Sequence, residues 1–144
     1  YGAPYAPKYN PTTLPDNEVI MGVTAGSSIL YAHEAGFNDD GAAMPCEITS
    51  GDFDIQEGDE VFLCNRVLPD FKNLTGNADV RIRFANYPAS TNTRDFTSTI
   101  TSTTKFFSVR GRGRQANLKI SSDAVNDNWR FGTVRMDIKP DGRR

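Results

Sequence analysis

Cysteine, histidine and long apolar runs are all scarce in this chain of 144 residues. Two cysteines, Cys46 and Cys64, are too few for a disulfide scaffold, and no Cys-x-x-Cys or Cys/His spacing offers a zinc site. Both read as free thiols in or near a core. The single histidine, His33, has Glu34 beside it, yet the sequence ties no Ser or Cys nucleophile to the pair, and a hydrolase needs that group and an oxyanion hole. His33 therefore reads as an ordinary surface or interface residue. No apolar run approaches the ~18 residues that a membrane-spanning helix requires, which sets the expectation of no membrane span. Helical periodicity is also missing over windows of about a dozen residues, apart from room for one turn near Ser122 to Val125.

What the chain has instead is Thr, Ser, Asn, Asp and Gly, with a hydrophobic fraction of only 38%. That balance suits an all-β protein with many turns. A chain of this size buries roughly 70% of its unfolded surface, enough for one real core and not two. The first residue is Tyr1 rather than Met, which sets the expectation of a processed product or a piece of a longer protein. The net charge of −2 hides an asymmetry: residues 1–104 carry −8 and residues 105–144 carry +6. Such a split fits a nucleic-acid surface, or a charged contact in which the acidic part of one copy meets the basic part of another.

Residues 1–17 hold four prolines and three tyrosines, so they read as an extended arm or linker. Residues 18–144 then read as a single β-sandwich domain. "EVIMGV" and "SSILYAHE" flank a tight connection at Ala25-Gly26-Ser27. "PCEIT", "DFDI", "EVFLCNRVLPDF" and "ADVRIRF" follow as strands, with Val80, Ile82 and Phe84 inward and Pro69 ending the ladder of its run. "RDFTSTITSTTKFFSV" reads as two strands around Thr101 to Thr104, and "QANLKIS" places Ala116, Leu118 and Ile120 on one face. In "NWRFGTVRMDIKP", Trp129 and Phe131 differ in parity from Val134, Met136 and Ile138. One strand keeps all five inward only if a glycine bulge at Gly132 shifts it by one residue. The fold class is all-β: an antiparallel sandwich or barrel of about eight to ten short strands.

Three sets of residues carry candidate chemistry. The acidic run "DFDIQEGDE" offers Asp52, Asp54, Glu57, Asp59 and Glu60 to a hard cation. Its spacing fails the EF-hand pattern, because Gly58 comes one place late and Leu63 stands where the closing glutamate belongs. Asp52, Asp54 and Asp59 are thus weak metal candidates, and no metal or other cofactor is expected. Paired carboxylates for glycoside hydrolysis are a spatial feature that spacing does not decide, and each carboxylate here has a simpler role in a loop or on a polar strand face. The third set is "RGRGR": Arg110, Arg112 and Arg114 share parity, and in a regular strand would form one row. Gly111 and Gly113 leave the opposite side free to pack tightly against another element. The apolar flanks Phe106, Phe107, Val109, Leu118 and Ile120 favour an ordered strand over a disordered arginine-glycine tag.

Three segments, "YAHEAGFNDDGAAM", "SGDFDIQEGDEVFLCNRVLPDF" and "GRGRQANLKISSDAVNDNWRFGTVRMDIKPDGRR", together resemble the C-terminal region of tail proteins of short-tailed bacteriophages, the nozzle or tail-tube B type. The likeness covers roughly residues 30–144. Its most specific part is the close of the chain, with Trp129, Arg130, Gly132, Asp141, Gly142, Arg143 and Arg144. The chain departs in reading "RGRGRQ" where the family has a single Arg-Gly-Arg-Gln, and the larger β-rich body that precedes this region in the family is not part of this sequence. The resemblance implies a structural virion protein, assembled in the host cytoplasm and located in the viral tail. It implies a homo-oligomeric ring, a hexamer in that family, with other tail proteins and DNA in transit as further partners. It implies no enzyme and no catalytic residue. Arg110, Arg112, Arg114, Arg130, Arg143 and Arg144 become interface or electrostatic candidates, and Gly111, Gly113, Gly132 and Trp129 packing candidates. A carbohydrate- or nucleic-acid-binding module on the same sandwich is the alternative.

Overall fold

Residues that alternate apolar and polar side chains give this chain antiparallel strands whose inner faces close on one another. The computed structural model describes residues 20–23, 30–32, 36–39 and 41–142. By its internal contacts the chain divides into two compact units, Tyr1–Pro45 with Asp123–Asp127, and Cys46–Ser122 with Asn128–Arg144. The arm at 1–17, the turn at Ala25-Gly26-Ser27, His33, Glu34, Arg143 and Arg144 lie outside the described residues.

In the first unit, β1 (Ile20–Val23) and β2 (Leu30–Ala32) form an antiparallel pair. Asn38, buried, and Asn126 bond to each other twice: Asn38 Nδ2 donates to Asn126 Oδ1, and Asn126 N donates to Asn38 Oδ1, both at 2.6 Å. Asn126 has φ of 68°, a conformation that asparagine accepts more readily than most residues.

The second unit carries ten strands among the described residues. They are β3 (Cys46–Thr49), β4 (Phe53–Asp54), β5 (Phe62–Leu68), β6 (Phe71–Thr75), β7 (Ala78–Ala85), β8 (Thr93–Ile100), β9 (Phe107–Gly113), β10 (Gln115–Ser122), β11 (Asn128–Phe131) and β12 (Arg135–Pro140). One sheet runs β3-β10-β7-β8, with β4 also on β10; a second runs β12-β5-β9; β11 and β6 form a short pair. Every pairing is antiparallel. The all-β class expected from composition and alternation is the class observed.

The core is the meeting of inner faces: Val80, Ile82 and Phe84 of β7 and Leu118 and Ile120 of β10, with Phe62, Cys64 and Val67 of β5 and Phe107 and Val109 of β9. Burying each large apolar side chain contributes about 1.5–3 kcal/mol. On β5 the buried positions step from Cys64 to Val67, which plain alternation forbids. Against β12 the register passes from Ile138↔Cys64 to Asp137↔Arg66, so Asn65 is an inserted residue, and this bulge returns Val67 to the core side.

Two local expectations are corrected. The run from Trp129 to Ile138 is two strands, β11 on β6 and β12 on β5, and not one bulged strand. The chain changes partner at Gly132, whose N–H donates to Asp70 O at 2.8 Å. A Cβ there would lie 2.7 Å from Asp70 Oδ2. Cys46 is exposed rather than in a core, with its Sγ 3.2 Å from Ser122 Oγ, while Cys64 is buried. Burial, more than any charge, pushes the Cys64 thiol up to about 11.

Polar side chains tie the outer face of the larger sheet. Arg83 grips Asp95 with two bonds of 2.8 Å, Thr99 donates to Asp79 at 2.6 Å, and Lys119 pairs with Glu47 at 2.6 Å. The hydrogen bonds from Arg83 hold the Asp95 carboxyl below its ordinary value.

Candidate functional site

The site grows from Arg110-Gly111-Arg112-Gly113-Arg114, where β9 ends and β10 begins. Gly111 and Gly113 are buried and lie against β7. A Cβ on Gly111 would stand 2.1 Å from Phe84 Cε2, and one on Gly113 would stand 2.9 Å from Ala85 O. Only hydrogen fits at those two places, so the absent side chains let the two sheets meet at Phe84. Arg114 alone links the strands, with its N–H donating to Ala85 O at 2.9 Å.

The three arginines then part company. Arg110 is exposed with φ of 51°. It sits where β9 carries an extra residue against β5, between the pairs Arg66↔Ser108 and Cys64↔Gly111. Arg112 reaches the end of the chain: its Nε is 2.8 Å from Asp141 Oδ2 and its Nη2 donates to Asp141 O at 2.9 Å. The same stretch is laced to Val61, just ahead of β5, by Asp141 N to Val61 O at 2.7 Å and Val61 N to Gly142 O at 3.0 Å.

Arg114 grips the acidic loop. Its Nη1 donates to Gly58 O and Asp59 O, each at 3.1 Å. Those carbonyls close a one-turn 3-10 segment, Gln56–Gly58, whose φ values of 51°, 55° and 79° are left-handed. That conformation costs roughly 1–2 kcal/mol for each non-glycine residue, and the arginine's bonds add to the turn's own, Gly58 N to Ile55 O and Asp59 N to Gln56 O, both at 3.2 Å.

Arg112 and Arg114 also line a groove of about 420 Å³, together with Val61, Asn86, Tyr87 and Arg94. A hollow of about 210 Å³ shares Asn86, Arg94 and Arg112 with it and adds Asn92. Arg94 is there because it pairs with Phe84 across β7 and β8. That register puts it on the inner side of the sheet, one step beyond Phe96 towards the open end of the sandwich. Arg94 is exposed, and among the described residues its side chain has no ion-pair or hydrogen-bond partner. The Arg114 guanidinium lies 5.9 Å from the centre of the Tyr87 ring, and Tyr87 remains 65% exposed. The groove can thus pair with oxyanions through guanidinium groups and offer a flat aromatic surface beside them.

The other candidates are dispersed. Arg130 is exposed on β11 opposite Lys72, away from the groove lining. Trp129 packs edge-on to Phe71 at 5.8 Å and donates from Nε1 to Ser122 Oγ at 3.0 Å. Asp52 accepts from Asn117 Nδ2 at 2.9 Å, and Asp54 and Asp59 are exposed. Among the described residues no cluster of three or more His, Cys, Asp or Glu side chains is placed to hold a metal ion. No described helix is long and apolar enough to cross a membrane.

Arg94, Asn86, Tyr87 and Asn92 did not stand out in the sequence. The signal was an arginine at the inward parity of its strand, two residues before Phe96, which an apolar inner face does not explain. No protein-family model and no curated protein matches the chain.

Proposed function

We propose that this chain is a structural protein of a short-tailed bacteriophage tail, of the nozzle or tail-tube type, and that it acts as part of a ring of identical copies through which DNA passes. The observation that supports this best is the clasp of Arg112 on Asp141. Both residues belong to "GRGRQANLKISSDAVNDNWRFGTVRMDIKPDGRR", one of the segments that carry the resemblance, where they lie 29 residues apart and bond directly. Arg114 adds the grip on the acidic loop. Arg112 and Arg114 thus hold backbone and carboxylate of their own chain, a use that supports a structural role.

A ring needs surfaces that meet head to tail. The larger sheet has one edge at β8 and another at β3 and β4, and Ile48 on β3 is half-exposed. Exposed ion pairs are worth only ~0–1 kcal/mol each, so copies would cohere through apolar contacts and strand edges while charge sets register. Hexamers, other tail proteins and a place in the virion follow from the resemblance. Peptide mass spectrometry of purified virions and mass photometry of the full chain test the reading. We expect the chain in the particle and a closed oligomer in solution; absence from the particle together with monomers at every concentration overturns it.

A further inference from the structure

We propose that the groove between the sheets is a nucleotide-binding site, in which Arg94 and Arg112 take a phosphate group and Tyr87 takes the base. Three features of the groove lead there. Among the described residues its lining combines three guanidinium groups with the amides of Asn86 and Asn92, and the nearby Asp141 carboxylate is taken up by Arg112. Arg94 has no partner among the described residues. Arg112 spends Nε and one Nη2 hydrogen on Asp141, which leaves Nη1 to donate, since a guanidinium carries five N–H groups in a fixed fork. A volume of about 420 Å³ lies in the range of small-molecule sites, ~300–1,000 Å³, and exceeds what a lone oxyanion fills. The groove thus has room for an organic part beside a phosphate. The exposed ring of Tyr87 suits a planar base, because base–aromatic stacking is tolerant of sequence and adds to the phosphate contact.

The site differs from the row of arginines that the sequence suggests. Arg110 does not line the groove, and Arg94, sixteen residues upstream, does.

The full chain is titrated with fluorescein-labelled oligothymidylate, read by anisotropy, and with thymidine monophosphate, read by calorimetry. Arg94→Ser is the central variant, because losing a side chain without a described partner leaves the fold in place. It is expected to weaken binding roughly tenfold and, for the strand, to lower the slope of log K against log salt by about 0.7. Tyr87→Leu is expected to weaken binding of the strand by a similar factor, while Arg110→Ser leaves it within about twofold of the parent, as its place outside the groove requires. Arg94→Lys keeps the charge without the fork and recovers part of the loss. Equal affinity for monophosphate and strand identifies a free nucleotide as the ligand; binding of the strand alone identifies a single strand. The proposal is overturned if the wild-type chain binds neither, if Arg94→Ser binds as the parent does, or if Arg110→Ser loses as much as Arg94→Ser. Binding of polyglutamate, sensitive to Arg94→Ser and without nucleotide binding, also overturns it, in favour of an acidic protein segment.

Discussion

The two sides of residues 110–114 obey different rules. On the glycine side there is no room: the space a Cβ on Gly111 would need belongs to Phe84, 2.1 Å away. On the other side Arg112 and Asp141 form an ion pair whose side chains keep 44% and 41% of their exposure. Steric overlap in a packed interior has no cheap remedy, whereas an exposed charge pair is screened and partly replaced by water. The glycines thus decide where the two sheets meet, and the arginines decide what is fastened to that junction.

Breaking the glycine side should produce the largest effect. Gly111→Ala forces Phe84 out of place and is expected to destabilise the fold by about 1–3 kcal/mol, read as a lower midpoint in urea. Trimming the obstacle in the double variant Gly111→Ala with Phe84→Leu should cost less than the sum of the two single changes, because the residues touch. Additive losses would show that Gly111 matters for another reason.

Cys64, which pairs with Gly111 across β5 and β9, reports on the same side through pH. Burial raises its thiol from 9.0 to about 11, so the folded protein keeps a proton that the unfolded chain releases. The resulting stability is fully present below about pH 9 and is lost as pH rises from there towards 11. Denaturation midpoints measured across that window should fall more steeply for the wild type than for Cys64→Ala. Native-state thiol labelling should reach Cys46 at once and Cys64 only on unfolding, since one is exposed and the other buried. Prompt labelling of both would place Cys64 nearer the surface than its packing implies.

On the arginine side the effects shrink. Arg112→Ala, made alone and with Asp141→Ala in a double-mutant cycle, should give a coupling of about 0–1 kcal/mol that weakens with salt. A coupling several times larger would make the clasp, and not the glycine packing, the main fastening of the chain's end. Smallest of all, Arg110→Gly should be neutral to stabilising by up to about 1 kcal/mol, because φ of 51° suits glycine better than arginine while glycine frees the unfolded chain. Clear destabilisation would mean that the Arg110 side chain makes a contact of its own.

Parts of this arrangement were readable from the order of residues. The inner faces of β7 and β10 follow from alternation over eight residues each, and the room for tight packing on the side of Gly111 and Gly113 follows from two positions without side chains between apolar flanks. Three things were not readable. The bulge at Asn65 became visible only through the register of β5 with β12. The break at Gly132 depends on Asp70, which lies far upstream and accepts its N–H. The exposure of Cys46 follows from the place of β3 at a sheet edge, and sheet order is not a local property.

Taken by itself, the sequence settled the all-β class, most strand positions and which side of each long strand faces inward. Those depend on a period of two and on turn-forming residues, both local. The tertiary structure alone decided that Arg112 meets Asp141, that Arg114 holds a left-handed turn at 56–58, and that Arg94 replaces Arg110 beside them. These meetings depend on register, bulges and the stacking of two sheets, in which a shift of one residue sends every side chain to the opposite face.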